Sequence, residues 1–434
     1  MIKKSLIIFV IALSTNILSF GQSAINSPYT RFGIGEIDRN GFNNSKGMGG
    51  ISTGLRENNQ INYMNPAAIS SQDTMSFIFD IGVKGLSNDL KTSTNNLTYQ
   101  NVSFDHIAIA FPIQRWWFAS VGVTPYSKVG YNVEQYSQHP YFDTVNVFYD
   151  NIGDGGLSQL YISNSFKIGN HLSIGFNFNY LFGTIERYNQ TYVDIPESFS
   201  TINYDKYSFR KPTFDLGFQY YTDLSDKYFL VLGATYSNKI NFTADRETVE
   251  FNSVNFRLSN MNVIDYIDIA SSLDTLSYST NANYKIDIPA KYSIGFTTGI
   301  KDKIKIGFDY SYQDWSNIES LNAIDTYTLD ETFNAGIEYT PNKFSIRNYF
   351  KLISYKAGFY YNKSYIKINN NQINNSGITF GLGLPIVNQK TKLNISYTYG
   401  KRGTTDNSLI QENYSIVGIN LTLYDFWFFK RKFQ

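Results

Sequence analysis

The stretch Tyr284–Ile300, YKIDIPAKYSIGFTTGI, alternates apolar with polar or small residues along its whole length. Tyr284, Ile286, Ile288, Ala290, Tyr292, Ile294, Phe296, Thr298 and Ile300 share one parity. Lys285, Asp287, Pro289, Lys291, Ser293, Gly295, Thr297 and Gly299 share the other. Successive side chains of a strand point to opposite faces, so the stretch reads as one long strand with a greasy face and a wet face. Soluble sheets seldom need so long a strand, whereas the wall of a membrane barrel does.

The pattern recurs on both sides. Ile304, Ile306, Phe308, Tyr310 and Tyr312 repeat it, as do Leu172 to Phe182, Phe214 to Tyr220, Ile378 to Leu384 and Leu393 to Tyr399. The alternation gives about fourteen strands, with cores near 74–86, 102–113, 116–129, 157–168, 171–185, 209–222, 228–243, 283–300, 303–315, 329–340, 353–363, 374–385, 391–400 and 413–424. Short links (Gln114-Arg115, Gly169-Asn170, Asp223–Lys227, Lys301-Asp302, Ile386–Lys390) alternate with long ones near 87–101, 130–156, 186–208, 244–282, 316–328, 364–373 and 401–412. Outer-membrane barrels have that rhythm, with short periplasmic turns, long outer loops and an even strand number. Pro341–Leu352 is long for a periplasmic turn and is read as a short amphipathic helix with Ile346, Tyr349, Phe350 and Ile353 on one side. Trp116, Trp117, Trp315 and Phe426–Phe429 are placed at the membrane interfaces, where aromatic rings prefer the headgroup level.

Composition agrees. The chain has 35 Tyr and 34 Phe but only 17% charged residues, and no cysteine, so neither disulfides nor a Cys-borne lipid anchor is expected. The segment 1–21 carries Lys3 and Lys4, an apolar run Leu6–Leu13 and the small residues Ser19 and Gly21, the layout of a cleaved signal peptide. Removing it takes the net charge from +1 to −1, and a chain without basic clusters is a poor partner for nucleic acid.

Residues 22–73 do not read as wall. Ser27–Gly35 (SPYTRFGIG) leads to Lys46-Gly47-Met48-Gly49-Gly50 and then to Asn65-Pro66-Ala67 just before the first strand. This lead resembles the FadL/TodX family of outer-membrane transporters, nearest its divergent Bacteroidetes-type members. The resemblance implies an all-β transmembrane antiparallel barrel of about 14 strands, over 74–434, with residues 22–73 as a hatch or plug in the lumen. Asn65, Pro66 and Ala67 would sit at the hinge, with Gly47, Gly49 and Gly50 in its tight turns. It further implies a Gram-negative outer-membrane channel for hydrophobic small molecules, of the long-chain fatty acid or aromatic hydrocarbon class, released sideways into outer-membrane lipid. The PorV-like branch of the family implies an alternative, a plugged barrel acting as partner of a secretion or assembly protein. A moving hatch and a fixed plug both fit the sequence.

Family members open their wall at a kinked early strand. Gly122 and Pro125 are the candidates here, since glycine marks bends and proline lacks a ladder donor; Pro212 and Pro289 are rivals. Val263, Ile264, Ile267 and Ala270 could share one face of a helical turn in the long fourth loop and line a ligand site, with Arg257 for a carboxylate. No catalytic residue, cofactor or metal is expected. His106, His139 and His171 are the three histidines, and Asp105 and His106, adjacent in one strand, should face opposite sides. Lys285, Asp287, Lys291 and Asp309 are expected to pair inside a polar lumen.

Overall fold

The computed structural model describes residues 25–38, 41–139, 142–254, 274–318, 326–368, 370–386 and 390–426. They form one closed antiparallel sheet of fourteen wall strands. These are β1 (Ser76–Lys91), β2 (Asn96–Pro112), β3 (Trp117–His139), β4 (Phe142–Ile168), β5 (Leu172–Val193) and β6 (Phe199–Asp223). Next come β7 (Tyr228–Ser237 continued by Ile240–Val254), β8 (Asp274–Ile288 continued by Lys291–Ile300) and β9 (Ile304–Asp314). The ring is completed by β10 (Thr326–Tyr327 and Leu329–Tyr339), β11 (Ser354–Ile368), β12 (Asn371–Pro385), β13 (Lys392–Arg402) and β14 (Gln411–Phe426). Sixteen registered pairs, from Gln411↔Lys91 to Phe426↔Ser76, join β14 to β1 and close it.

The lower wall, nearer the short turns, follows the alternation. On β5, Ile174, Phe176, Phe178, Tyr180 and Phe182 point outward and exposed, while Ser173, Asn177 and Asn179 are buried inside. Nine residues at about 3.3 Å each, tilted about 40°, rise roughly 23 Å, the height of a lipid-facing band. Phe214–Tyr220, Ile306–Phe308, Ile378–Leu382 and Val417–Leu423 continue that band around the ring. So much exposed apolar surface is stable only against lipid.

Above the band the pattern inverts. Tyr207, Phe209, Ile240, Phe242, Ile286, Ile288, Leu181 and Ile185 are buried in one cluster with Tyr29, Phe32 and Ile34 of the N-terminal segment. The switch corrects the reading of Tyr284–Ile300 as one strand with one greasy face. Tyr292, Ile294 and Phe296 face lipid, but Ile286 and Ile288 face inward. Pro289 and Ala290 leave the ladder, and this break shifts the facing of the strand by one position. Lys285 and Asp287 consequently lie on the outside, where Asp287 meets Lys239 at 2.9 Å, not in the lumen.

Four expected outer loops are also corrected. Most of 87–101, 130–156, 186–208 and 244–254 is strand, and β3 to β6 run for 23, 27, 22 and 25 residues. At about 3.3 Å per residue and the same tilt, β4 stands roughly 68 Å tall, far beyond a hydrocarbon layer of about 30 Å. These stretches are rich in Asn, Thr, Ser and Tyr and carry no continuous apolar parity, so they read as loop until ladder partners are known, although Tyr131, Ile152, Ile202 and Tyr207 within them are buried. Pro341–Leu352 holds a three-residue 3-10 turn, Tyr349–Lys351, in place of an amphipathic helix; Ile346 and Phe350 are exposed and Ile353 is buried, so they share no face. Trp315 is buried inside, its ring 4.1 Å from that of Tyr365, and is no interface anchor.

Candidate functional site

The described residues 25–38 and 41–73 touch strands on opposite sides of the closed ring and are mostly buried, so they lie in the lumen, and they are called the plug for that position alone. The attachments are chemical as well as steric. The Asp309 carboxylate of β9 accepts the backbone N–H groups of Ser52 (2.6 Å), Thr53 (2.7 Å) and Gly54 (3.3 Å). Asp309 was expected to pair with a lumen cation; it serves instead as an anchor for plug backbone. Arg402 of β13 forms ion pairs with Glu36 of the plug and with Glu412 of β14, the latter at 3.3 Å, and Ser27 Oγ donates to Glu412 at 2.5 Å. Arg187 of β5 donates to the Gly33 carbonyl at 2.7 Å.

Asn65, Pro66 and Ala67 are buried against β4 to β6. Asn65 Oδ1 accepts from Ala67 N (3.1 Å) and caps the 3-10 helix Pro66–Ser71, while its Nδ2 donates to the Thr53 carbonyl at 2.7 Å. Proline at the first position suits such a start, because its missing N–H would have no partner there. Gly175 and Gly217, in register with each other, admit this turn; a Cβ on Gly175 would lie 2.6 Å from Ala67 N.

Gly47 and Gly49 fit a second close approach. Gly307, Gly336 and Gly358 are aligned across β9, β10 and β11, and Met48-Gly49 of the plug rests on the latter two. Gly49 has φ +72° and Gly50 φ +84°, and a Cβ on Gly49 would lie 2.5 Å from the Ala335 carbonyl oxygen. Gly47 lies against Gly381 of β12. The wall glycines escaped the sequence reading, although an inward glycine in mid-strand asks for a neighbour that needs the space.

A dense charged cluster ties the plug to β1 and β2. Lys46 lies 2.5 Å from Asp105, and Lys84 bridges Asp38 (2.5 Å) and Asp105 (3.3 Å). His106 contacts Asp105 through Nδ1 and Asp80 through Nε2, both at 2.9 Å, and stacks on Phe42 of the plug. The expectation that Asp105 and His106 face opposite sides is therefore wrong. Phe104 pairs with Val83 and His106 with Gly82, so Asp105 is the extra residue of a β-bulge and both side chains turn inward. A Cβ on Gly82 would lie 2.6 Å from His106 Cε1, so the glycine makes room for the ring.

The wall is interrupted beside this cluster. The β2–β3 ladder runs only from Pro112↔Phe118 to Ile107↔Val123. Gly122 lies in its last pairs, and Pro125 sits just above, at a bulge in the β3–β4 ladder. Beyond Val123, β3 is met by the plug instead: Glu36 pairs with Lys128 and Ile37 with Ser127, and Ser27 N donates to the Gly130 carbonyl at 2.8 Å. Among the described residues the upper edge of β2 has no ladder partner, though Lys128 Nζ reaches Ser103 Oγ across the seam at 2.8 Å. Behind the seam is a cavity of about 180 Å³ whose lining includes Tyr29, Ile37, Leu86, Ile366, Ile373 and Ile416 together with Lys84, Lys128 and Arg402.

A second interruption separates β6 from β7. Ser208↔Asp245 ends one ladder and Asp215↔Ser237 begins the next. Pro212 lies inside it and Pro289 at the same level of β8. Asn238 patches the break, its Oδ1 accepting from Thr213 Oγ1 and Phe214 N, both at 2.8 Å. Arg257, Val263, Ile264, Ile267 and Ala270, the candidate ligand loop, lie outside the described residues, as does the segment 1–21 expected to be a signal peptide.

The sequence matches the BamG family over residues 1–434. The chain belongs to the BamG family. None of the curated proteins matches this BamG-family sequence. Among solved structures, the Pseudomonas putida toluene transporter TodX superposes with a TM-score of 0.58 at 12% identity, covering 90% of this chain and 99% of TodX. A Pseudomonas aeruginosa FadL homologue gives 0.55 at 15% identity, with 90% and 99% covered. The Ralstonia pickettii toluene transporter TbuX gives 0.53 at 13% identity, with 88% and 98% covered. At these identities the likeness is one of fold: this BamG-family chain has the FadL-type barrel.

Proposed function

We propose that this protein is an outer-membrane channel that passes a hydrophobic small molecule from its upper lumen sideways into the bilayer. The observation that carries the reading is the β2–β3 ladder ending at Val123, with a partly apolar cavity behind it. An apolar solute gains nothing by crossing the polar lower lumen, and a gap between strands gives it a route to lipid. Gly122 and Pro125 flank the gap, and the plug strand Glu36–Ile37 is the element that would yield. Residues 22–73 then act as a hatch, with Asn65–Ala67 its fixed end.

A second reading, a plugged barrel acting as partner of a secretion or assembly protein, is favoured by the same edge. Leu97, Val102 and Phe104 are exposed on β2, whose backbone edge above Ile107 has no ladder partner among the described residues and suits a strand from another chain. Cysteines at Ser103 and Lys128, bridged by a short bismaleimide, distinguish the two. Transport predicts that bridging lowers uptake of a labelled long-chain fatty acid or of toluene at least tenfold. Uptake unchanged by the bridge would refute it. Recovery of a stoichiometric protein by native mass spectrometry of gently extracted material, lost on bridging, would establish the partner role.

A further inference from the structure

The short-turn mouth of the barrel contains a cavity of about 380 Å³ that the lateral route does not use. One side is plug, Arg56–Asn59 and Ser71; the other is the lower ends of β6 to β13. Six cations line it, Arg56, Lys301, Lys303, Lys305, Lys343 and Lys392, against four carboxylates, Glu57, Asp223, Asp302 and Glu338.

The pairing leaves Arg56, Lys303 and Lys392 without a salt bridge among the described residues. Lys301 meets Asp223 at 2.8 Å, Lys343 meets Asp302 at 2.7 Å, and Lys305 bridges Glu57 and Glu338. Arg56 touches only uncharged acceptors among the described residues: the Ala67 carbonyl (3.3 Å), Gln219 Oε1 (3.1 Å) and Ser70 Oγ (3.1 Å). Its guanidinium is stacked 3.9 Å over the Tyr221 ring. Lys392 Nζ has one hydrogen bond among the described residues, to Ser354 Oγ at 3.4 Å. Lys356, immediately behind, reaches Glu338 at 3.5 Å and adds a further cation. Among the described residues no salt bridge reaches Arg56 or Lys392, and Glu338 and Glu57 act on Lys392 only from beyond ion-pair distance; half-buried cations without a direct counter-ion are costly, and an oxyanion is the simplest group that satisfies them.

We propose that this chamber binds a small dianionic oxyanion, a phosphate or a comparable ester, between Lys392 of the wall and Arg56 of the plug. The lining itself carries two excess positive charges and Lys356 behind it a third, enough to hold a dianion, and the cavity accommodates a phosphate group with room for a substituent. The site is independent of lateral transport. Binding here would tie the Arg56–Asn59 segment to β13 and so fasten the lower plug.

The test is calorimetric titration of the full-length protein in detergent with inorganic phosphate, and separately with glycerol 3-phosphate, at moderate chloride. The expected result is saturable one-to-one binding, weakened at least tenfold by Lys392→Met and by Arg56→Met, and kept by Lys392→Arg. Lys239→Met, which removes an exposed cation outside the lumen, should leave it unchanged. Heat-modified gel migration verifies that each variant is folded. Tighter binding of glycerol 3-phosphate assigns the site to an esterified phosphate such as a lipid or sugar headgroup; tighter binding of inorganic phosphate assigns it to the free anion. Absence of saturable binding, or equal loss in Lys239→Met, overturns the proposal.

Discussion

His106 Nδ1 lies 2.9 Å from Asp105 Oδ2, although the two residues are consecutive in one strand. The bulge opposite Gly82 makes this possible, and through it a single point of β2 presents both an imidazole and a carboxylate to the plug. Asp105 also holds Lys46 and Lys84, so it is the hub of the attachment. Asp105→Asn leaves these cations without their carboxylate in a buried setting, which costs about 3–5 kcal/mol. Urea unfolding in detergent should show that loss, with protease cleavage appearing first in residues 41–64. Stability equal to the native protein would mean that water already screens the cluster.

The Asp309 anchor leads to a different expectation. Its carboxylate gathers three plug N–H groups, and bonds of this charge-assisted kind contribute about 1.5–3 kcal/mol each when one partner is removed. Asp309→Ala should free the turn Ser52–Gly54 and raise single-channel conductance in planar bilayers. Asp287→Ala, which removes an exposed pair outside the lumen, should leave conductance unchanged and stability within about 1 kcal/mol. Equal conductance in native and Asp309→Ala protein would show that the plug is held without this contact.

What could be read from the chain beforehand follows from where each signal arises. Lipid dictates composition residue by residue, so Phe214–Tyr220 and Ile174–Phe182 disclose strand, facing and height. The short turns and Asn65-Pro66 are equally local. The facing of Ile286 and Ile288 is not: the apolar parity runs unbroken through Pro289 and Ala290, and only the ladder, broken at those two residues, shows that the facing changes there. The Asp105 bulge is hidden for the same reason, since one unpaired residue leaves no mark in a period of two. The end of the β2–β3 ladder depends on the plug strand that replaces it, a partner far off in sequence. Gly307, Gly336 and Gly358 are an intermediate case, visible as inward glycines but without the plug turn that explains them.

That glycine row gives a steric prediction. A Cβ on Gly336 would lie 2.8 Å from the Met48 carbonyl carbon, where backbone lies on both sides. Gly336→Ala should cost about 1–3 kcal/mol by overpacking and displace the turn Gly47–Gly50. Gly85→Ala is the counterpart, because the nearest atom to its Cβ would be 4.0 Å away. That variant should be neutral or gain a few tenths of a kcal/mol from the stiffer unfolded chain. Similar unfolding midpoints for the two would contradict the close packing of plug on wall.

The plug leaves the lumen at Asp73, and there acidity should matter. Burial pushes the Asp73 carboxyl upward, but hydrogen bonds from Lys390 and Tyr424 and the charge of Lys390 outweigh it and hold the group below the ordinary carboxylate range. A folded-state value below the unfolded one means that the ionised form stabilises the fold. The contribution is complete above the unfolded pKa, near 3.9, and disappears as pH falls through the folded value. Asp73→Asn should therefore be less stable than the native protein at pH 6, and the difference should close as the pH falls through the lowered folded-state value. Because Asp73 is partly exposed, salt should shrink the gap at pH 6 as well. A difference that persists unchanged at low pH would place the effect in packing rather than in the Asp73–Lys390 pair.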